Sequence, residues 1–138
     1  MPKLCFEETI YTYHIDFVGH VNNLNYIQWM ENGRVKLLEA VGMPVAEIVE
    51  TSNFFPILSE TAITYKKPLF LKNKVKIETW LSQINNASVI MEFRFYNEKG
   101  ELCASGHQKG LFVNAKTMRP ARIPKENRKS FEHYYIEA

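Results

Sequence analysis

The chain has 138 residues, of which 46% are hydrophobic and 23% are charged, and this length and composition predict a single globular domain over residues 1–138. The formal net charge of only +2 argues against a nucleic-acid-binding protein. No segment approaches the roughly 18 apolar residues that a membrane-spanning helix needs, which argues against an integral membrane protein.

The first part of the chain predicts a strand and a long helix. Residues 4–13 are rich in Phe, Thr, Ile and Tyr, a composition typical of strands. Residues 24–41 repeat apolar positions with the period of a helix, which Gly42 ends. The polar residues of this helix fall on one narrow stripe: Asn25, Gln28, Asn32, Lys36 and Glu39. Because apolar side chains cover most of the remaining circumference, we expect the helix to be buried on nearly all sides, with Met30 and Leu38 almost fully buried.

Two charged residues, Glu31 and Arg34, project into the apolar sector of this helix. They are three positions apart, and side chains with this spacing meet on a helix surface. The pair is interpreted either as a buried ion pair or as a sign that Glu31 lines a pocket.

The second part of the chain predicts four strands in which apolar residues alternate with polar ones. The first strand covers residues 57–66, with Ile57, Ser59, Thr61, Ile63 and Tyr65 on one face. The other three cover residues 75–81, 89–95 and 102–113.

Turn residues and a last helix complete the prediction. Asn85 and Asn86 suit a two-residue turn with positive φ, and Gly106 and Gly110 allow a bend or a close backbone approach. Pro124 suits the first turn of a helix over residues 125–136. The whole succession predicts an α+β fold, in which an antiparallel five-stranded sheet wraps around a long central helix.

The cysteines and the N-terminal segment predict a cytoplasmic location. Cys5 and Cys103 lie in strand-like segments, and their spacing matches neither a metal site nor a disulfide framework. We therefore expect both to be small core residues in a reducing compartment. No apolar segment typical of a secretory signal follows Met1.

The run from His14 to Tyr26 carries the strongest functional signal. It places Asp16, two imidazoles and three asparagines directly before the predicted helix. A carboxylate at this position lies beside free backbone N–H groups and the positive end of the helix dipole. Such an arrangement polarises a carbonyl group while an acid–base group stands next to it.

These residues resemble a known family. The chain resembles the hotdog-fold thioesterases of the 4-hydroxybenzoyl-CoA thioesterase-like family at several positions. These are Asp16 with Gly19 three residues on, residues 21–26, the Glu31–Arg34 pair, Gly42, the segment 65–68 and the tail 119–124. The segment 20–23 with a following aromatic residue also resembles acyl-acyl carrier protein (acyl-ACP) thioesterases of the same fold. The resemblance spans essentially the whole chain and has the same order of elements.

The resemblance implies an acyl-CoA thioesterase that hydrolyses a fatty or aromatic acyl thioester without a metal or redox cofactor. The family's acidic residue falls on Asp16, as general base or as nucleophile, and its oxyanion donor is a backbone N–H near Asn23. Further residues are expected to contact the substrate: His20, Asn22, Asn23, Tyr26, Glu31 and Ser59. Family members form dimers through the strand after the helix, here residues 57–66, and these pair into tetramers with active sites between subunits.

Two alternatives remain open. Many close relatives carry Tyr-His or Tyr-Phe where this chain has Asn22 and Asn23, which leaves open whether the carrier of the acyl group is coenzyme A or ACP. A non-catalytic protein that binds acyl thioesters is a third interpretation, although a carboxylate at position 16 argues against it, since burying one without use is costly. A metal site at His14, Asp16 and His20 is not favoured, because no further strong ligand lies nearby in sequence.

Overall fold

The structure, a computed structural model, describes residues 3–47 and 53–137. The elements in chain order are β1 (Leu4–Thr9), a 3-10 turn (Thr12–His14), α1 (Asn23–Ala40), β2 (Phe54–Tyr65), β3 (Lys74–Ile84), β4 (Ser88–Tyr96), β5 (Leu102–Asn114) and α2 (Lys125–Glu132). The strands form one sheet in the order β1-β3-β4-β5-β2, and every pair is antiparallel. The predicted α+β fold with five antiparallel strands is confirmed. In the described part of the chain, no helix is both long and apolar enough to cross a membrane.

Helix α1 packs one side against the sheet and leaves the other side open. Met30 and Leu38 are 0% and 5% exposed, as predicted. Leu24 and Ile27 are exposed, however, so the prediction of a helix buried on nearly all sides is wrong for the single chain. Asn25, predicted to lie on the polar stripe, is buried. Its side-chain amide compensates the loss of water by donating a hydrogen bond to the carbonyl oxygen of His14 at 2.6 Å.

The helix is also shorter than the sheet it covers. Its 18 residues span about 27 Å at the rise of an α-helix. The 13 residues of β5 span about 43 Å at the rise of a strand. The predicted long helix is therefore a helix of five turns that covers only part of the sheet.

Strand β2 forms one edge of the sheet and contains a β-bulge between Leu58 and Glu60. The predicted face of alternating residues is split there, because the extra residue reverses the alternation. Ile57 lies opposite Leu111, whereas Thr61 lies opposite Gln108, and these two partners point to opposite faces of β5. Sequence alternation alone does not reveal such an insertion.

The backbones of β2 and β5 approach closely at Gly106. A Cβ atom at this position would lie 2.5 Å from the carbonyl oxygen of Ala62 and 3.2 Å from Cε of Met30. The predicted close approach at Gly106 is confirmed. At Gly110 a Cβ atom would find only ordinary contacts, the nearest at 3.7 Å.

Several local predictions are corrected. Strand β1 ends at Thr9 rather than at residue 13, and α2 ends at Glu132. The β3–β4 connection has three residues, closed by a 2.8 Å hydrogen bond from the N–H of Asn85 to the carbonyl of Ser88. Neither Asn85 nor Asn86 has a positive φ. Cys103 is buried as expected, but Cys5 is exposed on the edge strand β1.

The C-terminal segment continues the pairing of β3 where β1 stops. Strand β1 pairs with β3 only as far as Thr79. Two residues further on, the N–H of Leu81 donates to the carbonyl of Tyr134 at 2.8 Å, and its carbonyl accepts from the N–H of Ile136 at 2.9 Å. The guanidinium of Arg128 on α2 binds the C-terminal end of β3 by donating hydrogen bonds to the carbonyls of Ile84 and Asn85.

Candidate active site

A pocket of about 260 Å³ lies at the N-terminal end of α1, between the loop that precedes this helix and the end of β2. Its lining residues are Asp16, His20, Val21, Asn23, Tyr26, Tyr65, Lys66, Lys67 and Pro68. The pocket brings together four of the residues predicted from the sequence, namely Asp16, His20, Asn23 and Tyr26. We describe these side chains first and then those that lie elsewhere.

The carboxylate of Asp16 is held by its own loop. Its Oδ1 atom accepts hydrogen bonds from the backbone N–H groups of Val18 and His20, at 3.0 and 3.2 Å. The N–H of Asp16 donates to the carbonyl of His20 at 2.8 Å, and Gly19 adopts the positive φ of 84° that this tight loop requires. The other oxygen, Oδ2, has no hydrogen-bond partner within the described ranges. One carboxylate oxygen therefore shapes the loop, and the other has no partner among the described residues of this pocket-lining side chain.

The imidazole of His20 lines the same pocket as this carboxylate but does not bond to it. The ring packs edge-on against Phe70, with centroids 5.3 Å apart and planes at 87°. Only the backbone of His20 contacts Asp16 through hydrogen bonds, among the bonds of residues 3–47 and 53–137. The side chain is exposed, so its nitrogen atoms remain open to solvent or to a bound molecule.

The first turn of α1 offers one free backbone donor to the pocket. Asn22 is the N-cap, and its Oδ1 accepts from the N–H of Leu24 at 2.9 Å, while its carbonyl accepts from Asn25 at 3.0 Å. The N–H of Asn23 has no partner in the part of the chain that the structure describes. It lies at the positive end of the helix dipole, where a negative charge is stabilised.

Aromatic rings form the inner wall of the pocket. Tyr26 is 3% exposed, and its ring meets those of Trp29, Tyr65 and Phe95 in T-shaped contacts with centroids 5.7, 5.1 and 5.4 Å apart. The hydroxyl of Tyr65 donates to the carbonyl of Asn23 at 3.3 Å, so this wall is tied to the start of the helix. Burial raises the pKa of Tyr26 and that of Tyr65, and the Tyr26 hydroxyl stays protonated at neutral pH.

Three predicted residues lie outside this pocket in the single chain. Asn22 serves as the helix cap described above. Glu31 receives two hydrogen bonds from Arg34, at 2.8 and 2.6 Å, and lines a separate cavity beside β1. Ser59 lies at the β-bulge, where its hydroxyl donates to the carbonyl of Lys109 at 3.2 Å. A substrate contact for each of these three remains a prediction.

His14 has a structural position. Its Nδ1 accepts a hydrogen bond from the N–H of Tyr11 at 2.9 Å, and its ring packs against Trp29. Desolvation by burial lowers the pKa of His14. Across residues 3–47 and 53–137, no group of three or more His, Cys, Asp or Glu side chains has a metal-binding arrangement.

The sequence analysis did not assign the residues at the end of β2 to the site. Tyr65, Lys66, Lys67 and Pro68 all line the pocket, and Lys67 forms an ion pair with Glu101. In the sequence this segment is a strand end marked by a basic pair and a proline, and it belongs to the family resemblance without an assigned role in the site. That signal gives no spatial link to a loop that lies some fifty positions earlier in the chain.

The family model and the three known proteins reported below are all described as thioesterases. A family model described as Thioesterase-like superfamily matches residues 11–131. YneP of Bacillus subtilis (strain 168), provisionally named an acyl-CoA thioesterase, is 27% identical over 110 residues, which cover 80% of this chain and 79% of YneP. The acyl-acyl carrier protein thioesterase ATL3 of Arabidopsis thaliana is 28% identical over 125 residues, covering 88% of this chain and 64% of ATL3. The structure of a DHNA-CoA thioesterase from Staphylococcus aureus superposes with a TM-score of 0.83 at 23% identity, covering 96% of this chain and 88% of that one.

Proposed function

Because the chain belongs to the thioesterase-like superfamily, we propose that it hydrolyses an acyl thioester of coenzyme A to the free acid and the thiol. One observation carries the proposal. The pocket wall contains the carboxylate of Asp16 and the helix-start N–H of Asn23, and among the described residues one oxygen of the first and the whole of the second are unpaired. Thioester hydrolysis needs these two elements, an oxygen base or nucleophile and a donor for the negative charge that develops on the carbonyl oxygen.

The chemistry is assigned to Asp16 in one of two ways. As a general base, its Oδ2 removes a proton from water while the water oxygen attacks the thioester carbon. As a nucleophile, Oδ2 attacks the same carbon, the thiolate leaves, and water then hydrolyses the resulting anhydride. In either case the N–H of Asn23 donates to the carbonyl oxygen as its charge grows. The thiolate is a good leaving group, which makes one carboxylate and one helix N-terminus sufficient.

Hydrolysis of a substrate panel tests the proposal. The purified protein is assayed against octanoyl-CoA, palmitoyl-CoA and benzoyl-CoA, with release of free thiol as the readout. The same acyl groups on ACP form the second arm, because the similarity to ATL3 favours acyl-ACP hydrolysis as the alternative function. Binding of these thioesters without release of thiol would contradict hydrolysis and indicate a non-catalytic acyl-thioester-binding protein.

Replacing His20 with alanine is expected to lower kcat about tenfold, less than a loss of Asp16 would. The ring of His20 lies in the pocket wall but does not bond to the carboxylate, so its role in the proposal is to contact substrate or water. Steady-state rates with the best acyl-CoA measure the effect. An unchanged rate in this variant would remove His20 from the proposed site.

We also propose that two copies pair through β2. Apart from its pairing with β5, this edge strand has no partner among the described residues, and it carries the exposed side chains of Leu58 and Tyr65. A long unpaired edge with apolar side chains favours pairing with a second strand. We expect sedimentation equilibrium at micromolar concentration to give the mass of a dimer or of a tetramer built from dimers. A monomer mass would contradict this proposal.

The two unpaired cysteines are consistent with the expected cytoplasmic location.

A further inference from the structure

The hydroxyl group of Tyr26 has no hydrogen-bond partner among the described residues, although the residue as a whole is largely buried. The residue is 97% buried, since its relative exposure is 3%. Its hydroxyl makes no hydrogen bond within the described part of the chain, and the residue belongs to the wall of the Asp16 pocket. Among the described residues, the fully buried side-chain atoms without a partner belong to Thr79 and Gln108, so the hydroxyl oxygen of Tyr26 is not completely enclosed. Because Tyr26 lines the pocket and its hydroxyl is unpartnered, a molecule bound there can accept its hydrogen bond.

The ring of Tyr26 holds this hydroxyl in a fixed place. Trp29, Tyr65 and Phe95 surround the ring on three sides with edge-to-face contacts. A ring enclosed in this way has little rotational freedom, so the hydroxyl oxygen holds its position before any substrate arrives. Donors that need no reorganisation at the moment of reaction give the strongest electrostatic stabilisation.

The hydroxyl also lies on the correct side of the helix start. Tyr26 is one turn after Asn23, and side chains on a helix lean towards the N-terminus. Tyr65 joins the two positions, because its ring contacts Tyr26 while its hydroxyl bonds to the carbonyl of Asn23. Tyr26 and Asn23 both line the pocket, and Tyr65 contacts each of them.

We propose that the Tyr26 hydroxyl donates a hydrogen bond to the thioester carbonyl oxygen, as a second oxyanion donor beside the N–H of Asn23. This inference rests on the proposed hydrolysis of acyl thioesters. Tyr26 is then a catalytic residue, because it touches the atom on which negative charge develops. The raised pKa of its hydroxyl keeps the proton in place across the neutral and moderately alkaline range, as a donor requires.

Replacing Tyr26 with phenylalanine tests the proposal, because it keeps the ring and removes only the hydroxyl. Loss of an oxyanion donor is expected to lower kcat for octanoyl-CoA or benzoyl-CoA by on the order of 10²-fold. We expect KM to change by less than about threefold, since the bond strengthens mainly in the transition state. The melting temperature should stay equal to that of wild type or rise, because the removed hydroxyl has no partner within residues 3–47 and 53–137.

Two further measurements distinguish direct contact from a structural effect. Tyr135→Phe is the matched control, since Tyr135 is 41% exposed and lies beside β3, outside the pocket, and its rate should equal that of wild type. Infrared spectra of octanoyl-CoA labelled with ¹³C at the thioester carbonyl are then recorded on Asp16→Asn and on Asp16→Asn/Tyr26→Phe. A carbonyl that loses a hydrogen bond absorbs at higher frequency, so the band should move up in the double variant.

The outcomes separate this inference from the proposed function. If wild type hydrolyses acyl thioesters and Tyr26→Phe keeps its kcat, or if the carbonyl band does not move, the second oxyanion donor is disproved while hydrolysis stands. A melting temperature lowered by several degrees in Tyr26→Phe would show that the hydroxyl has a structural partner, which also overturns the inference. If wild type releases no thiol from any acyl thioester, both proposals fail together.

Discussion

Replacing Asp16 with asparagine is expected to lower kcat by roughly 10²-fold or more, the range that a general base contributes. Asparagine keeps the size of the side chain and an Oδ1 atom that can accept from the N–H groups of Val18 and His20. It loses the basicity and most of the nucleophilicity at the other position, where Oδ2 has no partner among the described residues. The loop should therefore persist while the chemistry stops, and the variant should still bind acyl-CoA.

The measurement combines three assays on Asp16→Asn and wild type. Thiol release gives kcat, binding of octanoyl-CoA gives the affinity, and thermal melting shows that the fold is retained. A variant that melts like wild type, binds the thioester and hydrolyses it at near wild-type rate would disprove the role of Asp16 in the proposed mechanism. A lower melting temperature would instead assign the carboxylate to loop stability.

Replacing Gly106 with alanine is expected to lower the free energy of unfolding by about 3 kcal/mol, the upper end of the usual cost of overpacking. The added methyl group would lie 2.5 Å from a backbone carbonyl oxygen, that of Ala62, and 3.2 Å from Cε of Met30. The methionine can move, but the carbonyl belongs to the ladder between β2 and β5. Strand β2 must therefore shift, and with it Tyr65, which lines the pocket.

Gly110→Ala is the matched control on the same strand. There the nearest atoms to a new Cβ are side-chain methyl groups, Cγ2 of Val89 at 3.7 Å and Cε of Met91 at 3.8 Å. This variant should be neutral or more stable by up to about 1 kcal/mol, because alanine reduces the conformational entropy of the unfolded chain. Chemical denaturation of both variants measures the difference. Equal stabilities for Gly106→Ala and Gly110→Ala would contradict the close approach.

The order of elements follows from the sequence because each has a local signal. Residues 24–41 carry the helical period and a glycine stop, and the observed helix Asn23–Ala40 differs by one residue at each end. The bulge in β2 carries no such signal, since one extra residue is visible only against the partner strand. The burial of Asn25 was also beyond sequence reasoning, because the carbonyl that it bonds belongs to His14, in the 3-10 turn before the helix.

The candidate site was predictable on one side only. The loop and helix start lie within a few residues of each other, so Asp16, His20, Asn23 and Tyr26 could be grouped from the sequence, and they do share a pocket. The other wall comes from the end of β2, which the fold brings close through long-range packing. Glu31 and Ser59 lie outside this pocket in the single chain, where their side chains bond to Arg34 and to the carbonyl of Lys109. Their contact with a substrate stays a prediction.

The pairing of the C-terminal segment with β3 has a consequence for synthesis on the ribosome. Beyond Thr79, β1 no longer covers β3, and the carbonyl and N–H of Leu81 bond to Tyr134 and Ile136. These partners leave the exit tunnel only after all five strands have been made. Until then a nascent chain carries bare backbone donors and acceptors on β3, which is a template for association with neighbouring chains on a polysome. A short C-terminal truncation would make this transient exposure permanent, although every strand would still be present.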